Sequence, residues 1–290
     1  MKTHSLLPAL LALLLLTVTP DSTAQKRFGK TLRETPGLVS YSLRHDFARD
    51  MPGTFDKIKA MGITNMEMSN LFGKTAADVR GYLDARGMRC TSYGVSYDAL
   101  TNRTDGVIAD ARTLGAEFVR LGSFPHRGTF DQAQADAIAA TFNRLGKTLR
   151  AAGLTFVYHN HGFEFQPWKD GPAGQTYYDY LLQHTNPADV AYELDLLWVV
   201  HPGHDPVVLL RRYPDRFRLM HVKDLKKGVR GDFSGGTSPE NDVTLGTGQV
   251  DLPAVLRAAR RSAIKYYYIE DENPAAEQQI PQSLAYLRGL

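Results

Sequence analysis

Eight times along this chain a short apolar run of strand character gives way to a stretch of helical periodicity. The strand-like runs fall at 37–42, 64–68, 88–93, 117–121, 154–159, 190–194, 217–222 and 266–270. The helix-like runs fall at 54–61, 75–86, 106–114, 131–152, 176–183, 206–213, 252–261 and 275–287. Gly62, Gly87, Gly115 and Gly153 follow four of these helices, where a C-cap favours a left-handed backbone. Alternating strands and helices imply parallel strands joined by right-handed crossovers. Eight such units in ~250 residues match one closed barrel. The expected fold is therefore α/β, a single (β/α)8 TIM barrel over residues 37–290. An open doubly wound sheet would carry a glycine-rich phosphate loop after an early strand. Neither G-x-G-x-x-G nor G-x-x-x-x-G-K-[ST] occurs here.

The first 36 residues stand outside that alternation. Lys2 precedes an apolar run from Leu6 to Val18, and Ser22-Thr23-Ala24 places small residues before Gln25. This is the pattern of a secretory signal peptide over residues 1–24, followed by a lead-in at 25–36. The run is shorter than the ~20 residues of a membrane span, so no stable membrane insertion is expected after processing. Cys90 is the single cysteine, which rules out an intramolecular disulfide and a thiolate zinc cluster. Export without disulfides points to a bacterial periplasm. The net charge of +3 comes from 34 basic and 31 acidic residues of mixed distribution. No nucleic-acid partner is expected from so weak a charge. Nothing in the sequence sets an oligomeric state.

Barrel enzymes place their chemistry where strands run into the loops that follow them. Strand five runs into His159-Asn160-His161-Gly162-Phe163-Glu164, and strand six into Glu193-Leu194-Asp195. Strand seven runs into His221-Val222-Lys223-Asp224, and strand eight into Glu270-Asp271-Glu272. Four successive strands thus aim carboxylates and imidazoles at one mouth. So many carboxylates in a closed site need a cation. An oxygen-rich set with an imidazole suits one divalent metal ion, Mn²⁺, Mg²⁺ or Zn²⁺. The longest loop-like segment, 228–248, follows strand seven on the same face.

Five segments carry a resemblance: 158–165 (YHNHGFEF), 193–198 (ELDLLW), 220–224 (MHVKD), 245–251 (LGTGQVD) and 268–272 (YIEDE). With them the chain resembles the xylose isomerase-like barrel superfamily, the sugar isomerase/epimerase group that includes an AP-endonuclease branch. The resemblance implies a metal held by a Glu from strand five, Asp195, His221 and Glu270. Glu164 is the carboxylate available on strand five, with His159 the alternative ligand. Glu164, Glu270, His159 and His161 are the candidate proton-transfer groups. Trp198 stands where many epimerases of the family have a substrate-contacting His, and offers an aromatic face to a sugar ring. Lys223 is the second candidate substrate contact.

The implied chemistry is proton removal beside a sugar carbonyl, with the metal stabilising the enediolate. Returning the proton gives an isomerase or epimerase, the expected activity. Loss of a β-substituent gives the alternative, a lyase or hydrolase acting on 3-keto-glycosides. An exported protein seldom meets sugar phosphates, so a neutral sugar or keto-sugar is the expected substrate. A non-catalytic carbohydrate-binding protein on the same barrel is the alternative of another class.

Overall fold

The structure, a computed structural model, describes Met1 and residues 28–126 and 129–290. The expected leader at 1–24 lies outside the described residues. From Phe28 the lead-in is packed: Phe28 and Leu32 are buried and bridge to each other. The Thr31 hydroxyl donates to the Leu290 carbonyl at 3.0 Å, which ties this segment to the C-terminus.

Eight parallel strands close into a barrel in sequence order. They are β1 (Gly37–Val39), β2 (Asn65–Met68), β3 (Arg89–Val95), β4 (Phe118–Leu121), β5 (Thr155–His159), β6 (Val190–Asp195), β7 (Phe217–Val222) and β8 (Tyr266–Ile269). The helices between them are α1 (Arg44–Arg49), α2 (Met51–Ala60), α3 (Ala76–Asp84), α4 (Tyr97–Asn102), α5 (Thr104–Leu114), α6 (Gln132–Ala151), α7 (Tyr177–His184), α8 (Leu196–Val200), α9 (Pro206–Arg212), α10 (Leu252–Ala259) and α11 (Ala276–Gly289). The eight expected units are all present. Boundaries move by at most three residues: α2 starts three earlier, and β1 ends three earlier, because after Val39 the chain turns into a 3-10 helix, Ser40–Leu43. Short α1, α4 and α8 sit in the loops after β1, β3 and β6, where the sequence pattern was too brief to announce a helix.

Local chemistry fixes the helix starts. Thr75 and Thr176 each form a reciprocal capping box, with Asp78 and Asp179. Asp131, Asp195, Asp205 and Asp251 accept backbone N–H groups at the starts of α6, α8, α9 and α10. Gly115 ends α5 in the left-handed conformation.

Most buried apolar residues form one core between the strands and the helices. A second, separate cluster contains Val39, Phe118, Val157, Ala191, Leu219 and Tyr268. These six come from six strands and fill the barrel interior. Strand side chains alternate faces with period two, so on five of the six strands, β1 ending at Val39, the residues two further along also point inward. They are Arg120, His159, Glu193, His221 and Glu270. An apolar floor therefore carries a polar layer directly above it.

Candidate active site

His221 is the centre of that layer and is fully buried. Its Nε2 lies 2.9 Å from Glu67 Oε1 and 3.0 Å from Glu193 Oε2. Its Nδ1 lies 3.1 Å from Glu270 Oε2 and 3.5 Å from Asp195 Oδ2. His159 turns its Nδ1 to Glu193 Oε2 at 3.1 Å. Arg120 enters from β4, with Nε 2.7 Å from Glu67 Oε1 and 3.7 Å from Glu193 Oε2. The guanidinium fits because Gly94 and Gly122 have no side chains. A Cβ at either would lie 2.8 or 2.5 Å from its Nη atoms.

The layer splits otherwise similar groups by charge. Burial alone would raise Glu67, but Arg120 and His221 outweigh it and hold the carboxyl at about 2. Burial and the neighbouring Glu67 charge push Glu193 up to about 8. The two carboxyls thus hold different protonation states at neutral pH, as a close like-charge pair should. Burial works against a charged His221, yet Glu193, Glu270 and Glu67 keep it well above the ordinary imidazole range. Burial, followed by the charge of His221, drives His159 well below that range.

Asp195 divides its two oxygens between structure and site. Oδ1 accepts the Trp198 N–H at 2.9 Å and starts α8. Oδ2 is buried and accepts no hydrogen bond among the described residues. His159, Asp195 and His221 bring one donor atom each within 4.8 Å of one another, close enough to hold a metal ion. Glu67, Glu193 and His221 form a second such group. Glu270 stands beside the first group through its contact with His221.

Glu164 joins neither group. It lies in a 3-10 turn after Gly162, where its carboxylate accepts the Tyr158 hydroxyl and, at 3.0 Å, the His161 N–H. Burial raises it to about 7. Of the two strand-five candidates, the structure brings His159 to His221 and Asp195 and leaves Glu164 beside Tyr158.

Above the layer opens a cavity of about 620 Å³ at the strand C-termini. Tyr41, Tyr97 and Trp198 line it with Arg120, His161 and Glu272. That volume suits an organic ligand with several polar groups. His161 packs against Trp198, ring centroids 5.6 Å apart, and its Nδ1 has no partner among the described residues. Burial lowers His161 to about 4, so the ring is neutral at neutral pH. Lys223, expected at the substrate, is not among the residues lining this cavity. Its ammonium sits 3.1 Å from Glu270, 2.7 Å from Glu272 and 3.5 Å from Asp242. Those carboxylates hold it charged despite burial. Next to it, Asp224 accepts the N–H groups of Gly246, Gly248 and Val250 at 2.9–3.0 Å. The long loop after β7 is thereby pinned to the strand end, and Gly235 to Thr237 reach the cavity wall.

A family model described as the xylose isomerase-like TIM barrel matches residues 55–290. The chain belongs to the xylose isomerase-like TIM barrel family. Within reach of this family, an inosose dehydratase of Lacticaseibacillus casei is 23% identical over 249 residues, covering 76% of this chain and 82% of that protein. A solved structure described as a sugar phosphate isomerase/epimerase from Parabacteroides distasonis superposes with a TM-score of 0.73 at 24% identity. It covers 93% of this chain and 96% of its own. The solved IOLI protein, described with a bound zinc atom, gives a TM-score of 0.67 at 12% identity over 87% of this chain and 94% of its own.

Two members of the polar layer were absent from the sequence expectation. Glu67 and Arg120 sit within β2 and β4 rather than at a strand end, so no loop motif marks them. The period-two reading could have found Arg120, because Phe118 and Arg120 share a face as Val157 and His159 do. Alternation also places Glu67 inward with Asn65, because the extra residue at the β2–β3 register shift, Thr91, lies on β3.

Proposed function

We propose that this member of the xylose isomerase-like family is a divalent-metal-dependent dehydratase acting on a neutral keto-sugar or cyclic keto-polyol. His159, Asp195, His221 and Glu270 are the residues that would hold the ion. The observation that carries this is Asp195 Oδ2, which is buried beside two imidazoles and Glu270 and takes no hydrogen bond among the described residues. A lone buried carboxylate oxygen is unfavourable unless something satisfies it, and a cation does so. Mixed nitrogen and carboxylate donors suit zinc or manganese better than magnesium. When bound, such an ion supplies Lewis acidity toward a carbonyl oxygen.

The chain's own contribution begins with the cavity, where Trp198, Tyr41 and Tyr97 provide faces for a ring. His161 is neutral and has an unsatisfied nitrogen, so it can take the proton from the carbon beside the carbonyl. The electron pair left on that carbon forms a double bond as the β-hydroxyl departs. The protonated His161 returns its proton to that hydroxyl, which leaves as water. Returned to carbon instead, the same proton gives epimerisation.

The relatives named inosose dehydratase support elimination over proton return. The test is a screen of metal-loaded protein against inososes and 3-keto-glycosides in deuterated water. Dehydration yields a product one water lighter than the substrate, with growing enone absorbance. Solvent deuterium at the α-carbon in a product of unchanged mass class would make the chain an isomerase or epimerase. Ligand binding without any exchange or turnover would leave a carbohydrate-binding protein. We also propose export with removal of residues 1–24. The mature chain should then start at Gln25, and retained Met1 in envelope material would overturn this.

A further inference from the structure

Glu193 turns one oxygen toward two imidazoles and bonds that of His159. Oε2 lies 3.1 Å from His159 Nδ1 and 3.0 Å from His221 Nε2, while Oε1 has no partner among the described residues. Glu67 repeats the pattern from the opposite wall. Its Oε1 meets His221 Nε2 at 2.9 Å, and its Oε2 is likewise without a partner. A buried carboxylate that only braces the fold looks different here: Asp224 takes three backbone N–H groups.

Both glutamates reach the axis by plain alternation along strands that carry no extra residue: Glu67 shares a face with Asn65, and Glu193 with Ala191. At the two register shifts the extra residue lies on the neighbouring strand, Thr91 on β3 and Arg218 on β7. β2 and β6 are four strands apart in the closed order, so the two side chains approach His221 from facing walls.

We infer that Glu193 and Glu67 are positioning residues: Glu193 fixes the proton on His159 Nδ1 and Glu67 that on His221 Nε2, leaving the other nitrogen of each ring for Asp195 and its cation. This rests on the metal reading above. Arg120 is the counter-charge that lets two glutamates share the space. It occupies the role a second cation would take between Glu67, Glu193 and His221, so one ion per chain is expected. Partners of this kind hold ring orientation, and their loss commonly weakens metal binding 10–100-fold.

The test uses the full purified chain and Co²⁺. Wild type should bind one Co²⁺ per chain. Glu193→Leu should weaken binding about 10–100-fold and alter the cobalt visible spectrum. Glu193→Gln keeps a carbonyl acceptor and should retain most of the affinity. Glu67→Leu should weaken binding as well, because it releases His221 Nε2 from its hydrogen bond. Equal weakening by Glu193→Leu and Glu193→Gln would reduce the effect to charge and overturn the inference. So would unchanged affinity in both, or two ions per wild-type chain. If Glu193→Leu does not fold, Glu193→Asp, which withdraws the oxygen by one methylene, decides by the same comparison with Gln. If wild type binds no cobalt, the metal reading fails by itself. The histidine ¹⁵N spectrum then decides the positioning role: an Nδ1–H on His159 that is lost in the Glu193→Leu or Glu193→Asp variant upholds it. An unchanged spectrum overturns it.

Discussion

The barrel floor and the layer two residues above it are built by the same strands and share almost no chemistry. The floor, which includes Leu219 and Val157, is apolar but for the Tyr268 hydroxyl, which is bonded to Thr91. The layer above packs His221, His159, Glu193, Glu67 and Arg120 with as little exposure. Burial alone therefore says nothing about which layer stabilises and which reacts. The difference lies in what satisfies each group: dispersion and exclusion of water below, charge pairing above. Taking one side chain from each layer should give opposite signatures.

The largest effect is expected from His221→Ala. It removes the cation among Glu67, Glu193 and Glu270, a change that costs about 3–5 kcal/mol in the metal-free chain. Stoichiometric metal should vanish from elemental analysis, with the barrel retained by circular dichroism. Metal content equal to wild type would break the assignment of the layer as a metal centre.

His161→Ala comes next. It should lower kcat by roughly 10²–10⁴ on a turned-over ketone while metal content stays at wild type. A proportional loss of metal and rate would show His161 to be part of the ion's cage. Leu219→Ala sharpens the comparison from the other side. It should lower stability by about 2–5 kcal/mol in urea unfolding, with metal stoichiometry unchanged in the folded fraction.

The smallest effect concerns Glu164, which lies in neither layer. Its folded carboxyl is raised from 4.5 to about 7 by burial. The folded state holds this proton more tightly than the unfolded state, so stability falls as pH rises from about 4.5 to 7 and then levels off. Glu164→Gln removes that dependence. The variant should match wild type near pH 4 and exceed it by about 3 kcal/mol at pH 8. Melting curves at the two pH values check this, and a difference of constant size would refute it.

Much of this was legible from residues alone. The eight units were readable because glycine stops and Thr or Asp caps punctuate them, as at Thr75 and Gly115. Asp195, His221 and Glu270 were readable because they end consecutive strands. Glu164 was harder: it follows β5 in sequence, but the turn at Gly162 commits its oxygens to Tyr158 and a backbone N–H. Lys223 shares a strand face with His221, yet its ammonium is drawn to Glu272 and Asp242, whose approach depends on a loop pinned from a distance. Glu67 lies inside the four-residue β2 with no loop motif beside it, so only the alternation of that short strand marks it.

Asp195 has one further consequence, for how this position can change over generations. One oxygen starts the helix that carries Trp198, and the other faces the histidines. Asparagine could keep the helix start but would bring an uncharged group to the histidines. Glutamate could bring the charge but, being longer, would misplace the cap. Neither neighbour in chemical space supplies both functions, so drift through either passes through a chain impaired in shape or in reactivity. Any successful replacement must arrive together with a second change in α8, which ties the inheritance of the aromatic wall to that of the ligand.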